Sequence, residues 1–148
     1  MNEPIPISAV AIGPDEEALV LEVLRSGRLT QGPKVEQLEQ RFAAAHDVGQ
    51  AVAVNSGTTA LVAALQALGV GPGDEVITSP FTFVATLNAI LESGATARFA
   101  DVTEDFCLDV DCARALVGER TRVVLPVHLY GLPADMPRFD ELARERGL

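Results

Sequence analysis

From Gln50 onward the chain alternates short runs of β-branched and small apolar residues with longer apolar segments at helical spacing, and this constrains the fold more than any other feature. Ala51–Val54, Glu75–Thr78, Thr96–Ala100 and Val123–Val127 read as strands. Thr58–Leu68, Thr82–Glu92, about Asp111–Val117, and Pro133–Arg146 read as helices. Strands separated by helices pair in parallel through right-handed crossovers, so the expected fold is α/β: a mostly parallel sheet covered by helices on both faces, three layers in all. In such sheets ligands collect beyond the carboxyl ends of the strands. The informative loops are therefore Asn55–Thr59, Ser79–Thr82 and His128–Pro133. The helix over Thr58–Leu68 carries Leu61, Leu65 and Leu68 with alanines around them, and a helix apolar nearly all round is expected to be buried.

Before Gln50 the pattern is helical only. Pro14–Gly27 opens on Asp15, Glu16 and Glu17 and closes on a glycine, which suits the positive end of a helix dipole and a left-handed exit. A second helix places Val35, Leu38 and Phe42 on one face. The expected organisation is an N-terminal helical segment over residues 1–48 and the first part of an α/β domain over residues 49–148, one domain overall. The ending is abrupt: Gly147 suits a position just past a helix and Leu148 would begin a strand. The final helix is expected to cover a sheet position with no strand beneath it, and the chain to be the N-terminal fragment of a longer protein.

Length and charge narrow the partners. A chain of 148 residues, 48% of them hydrophobic, can bury a core without disulfides or metals. With 11 basic against 21 acidic residues the net charge is −10, which repels phosphate backbones and anionic lipid, so neither nucleic acid nor membrane is an expected partner. The start of the chain has no basic segment leading into an apolar stretch, and a cytoplasmic location is expected. Cys107 and Cys112 stand alone as C-x4-C with no second pair, which reads as two reduced thiols rather than a metal site.

Asn55-Ser56-Gly57-Thr58-Thr59-Ala60 lies between a strand and a helix. Gly57 permits close backbone approach, the first N–H groups of the helix are free, and the hydroxyls add donors, so a phosphate fits there without Lys or Arg. Ser56, Thr58 or Thr59 acting only as a helix cap is the plainer alternative. In the next loop, Phe81 or Phe83 can offer a ring face to a flat heterocycle, unless both pack beneath the loop. His128 follows a strand and suits acid–base chemistry by position, although a lone histidine is more often a hydrogen-bonded structural group. Lys34 is the only lysine, in a Gly-Pro-Lys helix start that points to a solvated role.

Taken in order, Ser26–Pro33, Asn55–Leu61, Gly71–Ile77, Phe81–Thr86 and Pro126–Met136 resemble the DegT/DnrJ/EryC1/StrS aminotransferases, which are fold-type I enzymes dependent on pyridoxal phosphate. The resemblance covers nearly the whole chain. It implies the N-terminal part of the large α/β domain of such an enzyme, with Gly57 and Thr58 holding the cofactor phosphate, Ser56 beside them, and Phe83 stacked on the pyridine ring. It also implies a nucleotide-linked keto-sugar as substrate, an amino-acid donor such as glutamate, and a homodimer with shared active sites. The family's Schiff-base lysine and the aspartate that pairs with the ring nitrogen are expected beyond Leu148, so no catalytic residue is assigned here and the fragment alone is expected to be inactive. Two other readings remain open: a non-catalytic binding module, and a sugar dehydratase of the same fold.

Overall fold

Three parallel strands, Thr96–Phe99, Glu75–Thr78 and Thr121–Leu125 in spatial order, form the sheet of the computed structural model, which describes residues 4–6 and 8–148. The chain divides into two compact units, Met1–Ala53 and Val54–Leu148.

The first unit holds α1 (Pro14–Ser26) and α2 (Pro33–Ala45). Glu16 Oε2 accepts from the Gly13 N–H at 2.7 Å, and that bond holds the Glu16 carboxyl below its ordinary range. The helix exits through Gly27 at φ 69, a left-handed turn that glycine makes without a Cβ clash. Lys34 Nζ pairs with Glu22 Oε2 at 2.8 Å and joins the two helices. Ala43 is the one buried residue of α2, and α1 has none.

The second unit runs α3 (Gly57–Ala67), β1 (Glu75–Thr78), α4 (Val84–Glu92), β2 (Thr96–Phe99), α5 (Val110–Leu116), β3 (Thr121–Leu125) and α6 (Met136–Arg146). All pairings are parallel, with Val76 opposite Ala97 and Val123, and Ile77 opposite Arg98 and Val124. Successive strand residues face opposite sides. Val76 accordingly joins Val62, Leu65, Ala89 and Ile90 in one core, while Ile77 joins Ala100, Leu108, Ala113, Phe139 and Leu142 in the other.

Several expectations change here. Ala51–Val54 is not a strand: a strand exists only by pairing, and this run pairs with none of the described residues, its one tie being the Ala53 N–H to Glu39 Oε1 at 2.8 Å. α3 is not buried all round. Only Val62 and Leu65 are fully buried, with Leu61 half-buried beside them, while the flanking alanines are exposed and Leu68 is 69% exposed, because one stripe of a helix is all that a sheet can cover. β3 is displaced toward the N-terminus and stops before Pro126, which has no N–H to give a ladder. α4 begins at Val84 and α6 at Met136, each later than its apolar pattern, because Phe83 and Asp135 are non-helical caps. The last helix does not lie over a vacancy: Phe139 and Leu142 pack into the core built on Ile77.

At the amino end of the sheet Glu75 is 4% exposed and meets Arg98 at 3.0 Å and Arg120 at 2.7 Å, while Asp74 pairs with Arg122 at 3.2 Å. A buried carboxylate persists only with such partners. No helix among the described residues is long and apolar enough to cross a membrane.

Candidate functional site

α3 ends where the chain turns into β1, and β1 leaves through Ser79–Phe83 into α4, so both helices run back against the strands and start at the carboxyl rim of the sheet. They share a packing face through Val62, Leu65, Ala89 and Ile90.

Ser56 caps α3. Its Oγ accepts from the Thr59 N–H at 3.2 Å, and Ala60 N–H bonds to Ser56 O at 3.0 Å. Thr59 Oγ1 donates to Asn55 Oδ1 at 2.7 Å, which commits the Thr59 proton and makes Ser56 the donor in the 3.0 Å contact between the two hydroxyls. The N–H groups of Gly57 and Thr58 precede the intrahelical ladder and have no partner in it. A Cβ added at Gly57 would meet nothing within 4 Å, so the space beside this glycine is open. Two amides with no hydrogen-bond partner among the described residues, at the positive end of a helix and beside the Thr58 hydroxyl, make a candidate anion cradle that uses no cationic side chain.

The β1 exit supplies the neighbouring wall. Ser79 Oγ accepts from the Phe81 N–H at 2.9 Å, and the hydroxyls of Thr82 and Thr86 meet at 2.9 Å across the start of α4. Phe81 leans on Phe106, with ring centroids 5.4 Å apart, whereas Phe83 is 76% exposed. Of the two phenylalanines, Phe83 has its ring open to a ligand.

The β3 exit closes on itself. His128 Nδ1 accepts from the Ala134 N–H at 3.0 Å, and Leu132 N–H bonds to Leu129 O at 2.9 Å, so Tyr130 and Gly131 form the tip of a tight turn. His128 thus takes the structural role left open by its sequence position. Pro80, Phe81, Thr82, Phe83, Leu129 and Tyr130 together line a cleft of about 350 Å³. Tyr130 lines this cleft although the sequence pattern did not single it out; a Tyr-Gly pair between Leu129 and Leu132 was the available turn signal. Lys34, tied to Glu22, lies in the first unit, as does His46, whose ring sits 4.3 Å from that of Phe42. Cys107 is buried and Cys112 half-buried, both as free thiols.

The profile of the DegT/DnrJ/EryC1/StrS aminotransferase family matches residues 10–148. The spore coat polysaccharide biosynthesis protein SpsC of Bacillus subtilis is 48% identical over 99% of this chain, which spans 38% of SpsC. Among solved structures, DesV of S. venezuelae aligns at 46% identity with a TM-score of 0.85, over 89% of this chain and 36% of DesV. The putative sugar aminotransferase Spr1654 from Streptococcus pneumoniae, solved in PLP and PMP forms, aligns at 37% identity and a TM-score of 0.88, over 95% of this chain and 36% of its own. The chain therefore spans little more than a third of these relatives. Pyridoxal phosphate suits the residues present, since the α3 cradle offers donors and open space for a phosphate and the rim offers an exposed ring for a heterocycle. The chain belongs to the DegT/DnrJ/EryC1/StrS family of pyridoxal-phosphate-dependent aminotransferases.

Proposed function

We propose that this chain supplies the phosphate cradle and ring-stacking wall of an aminotransferase that moves an amino group, with glutamate as donor, onto a nucleotide-linked keto-sugar. The observation that carries this reading is the pair of N–H groups at Gly57 and Thr58, without a partner among the described residues, on the same rim of the sheet as an exposed Phe83. In this reading Gly57 and Thr58 bind the phosphate through their amides and the Thr58 hydroxyl, Ser56 stands beside them as the cap, and Phe83 covers the pyridine face and keeps water from it. The bound cofactor supplies an electron-withdrawing ring that stabilises negative charge on the reacting carbon. Lys34 pairs with Glu22 in the first unit, and this reading assigns no residue of this chain to the covalent-lysine or ring-nitrogen role. A homodimer in the cytoplasm completes the proposal.

The test is cofactor titration. Thr58→Val is expected to weaken pyridoxal phosphate binding by about 1 to 3 kcal/mol, the cost of removing a donor from a held anion, with pyridoxal itself little affected. Equal loss for both compounds, or loss for neither, would remove the phosphate from this cradle.

A further inference from the structure

Tyr130 is held in a backbone conformation that suits it poorly. Its φ is 52 and that of Gly131 is 86, two successive left-handed residues at the tip of the turn closed by Leu129 and Leu132. Such a tip favours Asn-Gly, because a bulky aromatic at its first position crowds its own backbone. Burial does not offset that strain, since Tyr130 is 87% exposed. The conformation is imposed from both ends: His128 grips the Ala134 N–H, and Cys107 Sγ reaches Leu132 O at 3.7 Å. The strained ring lines the same cleft as Phe83, from a different loop, and both rings are open. Strain that is over-determined by its surroundings and placed at a cleft marks a ligand contact.

We propose that Tyr130 is a ligand-contact residue, and that it and Phe83 bound a slot for a planar heteroaromatic ring bearing phosphate. This rests on the reading of the rim given above and adds a second wall to it. Two sources carry that chemistry: the cofactor's pyridine and the base of a nucleotide-linked sugar. Aromatic side chains recognise a flat ring without any charged group, in keeping with a lining that has none.

Thermal unfolding of the full chain, alone and with saturating pyridoxal phosphate or uridine diphosphate, tests the slot. Tyr130→Asn is expected to raise the melting temperature of the free chain by about 2 to 4 °C, because Asn-Gly relieves the turn. The same variant is expected to lose at least half of the stabilisation given by one of the two ligands, while Tyr130→Phe keeps it. Loss with pyridoxal phosphate assigns the slot to the cofactor, and loss with uridine diphosphate assigns it to the substrate base. A fall in the free chain's melting temperature would make Tyr130 a structural residue and overturn the proposal. So would unchanged stabilisation by both ligands in Tyr130→Asn. If the unsubstituted chain is stabilised by neither ligand, the wider reading of the rim falls with it, whereas insensitivity confined to Tyr130 variants leaves that reading intact.

Discussion

The N–H of Ala134 donates to Nδ1 of His128 at 3.0 Å, a bond that spans the loop leaving β3 and fixes the ring proton of a neutral imidazole on Nε2. Ala134 is 4% exposed, so its N–H has little access to water when the ring is removed. His128→Ala is expected to cost about 1 to 2 kcal/mol, and His128→Asn, whose side-chain oxygen sits where Nδ1 does, less than half of that. Urea denaturation midpoints decide this, and equal loss in both variants would break the assignment.

Glu75 presents a different balance. The carboxylate is buried but its partners Arg98 and Arg120 are 40% and 72% exposed along their side chains, so both can return to water when it is neutralised. Glu75→Gln is therefore expected to destabilise by only about 1 to 2 kcal/mol, below the 3 to 5 typical of a fully buried pair left half-broken. Arg122→Ala, at an exposed pair with Asp74, is expected to stay within about 0.5 kcal/mol. Chemical denaturation of both variants beside the parent checks the ranking.

The turn after β2 is expected to respond to pH. The Thr103 hydroxyl and then the Cys107 N–H hold the Asp105 carboxyl below the ordinary aspartate range. A lowered folded-state pKa gives stability that is present above about pH 4, the unfolded value, and is lost as pH falls through the lower folded one. The Cys107 amide resonance is expected to shift over that acid interval, with no transition near neutrality, and Asp105→Asn to remove it. Persistence of the same transition in the asparagine variant would assign it to another group.

Phe83 and Phe81 separate by substitution. Phe83→Ala is expected to loosen pyridoxal phosphate and alter its absorbance band, whereas Phe83→Trp, which keeps a flat face, is tolerated. Phe81→Ala removes a partner of Phe106 and is expected to act on stability more than on the cofactor. Loss of cofactor binding at Phe81 with none at Phe83 would reverse the assignment.

Periodicity carried most of the second unit. The strands at Glu75 and Thr96 and every helix were legible because each buries a face against the sheet, and apolar spacing reports burial. Ala51–Val54 carried the same local signal without becoming a strand, since pairing is a property of two segments and a single sequence window holds only one. The exposed face of α3 was hidden for a related reason: alanine has equal helical preference in water and in a core, so an alanine-rich helix does not say how much of itself is covered. At the candidate site, position pointed only to the loop Asn55–Ala60 and to Phe81 or Phe83, and it was the family resemblance that named Gly57, Thr58 and Phe83. Tyr130 was not, because its distinguishing property is a backbone angle, and the proton direction through Ser56, Thr59 and Asn55 required the hydrogen bonds themselves.

Val76 and Ile77 are neighbours in one four-residue strand, yet each is wholly buried in a separate core. Slipping β1 by a single residue would exchange them and spoil both sides at once, so neither layer of helices can melt away and leave the other intact. The second unit should consequently unfold as one cooperative block, and the amide hydrogens of β1 should be its slowest to exchange with deuterium, opening only when the whole block opens.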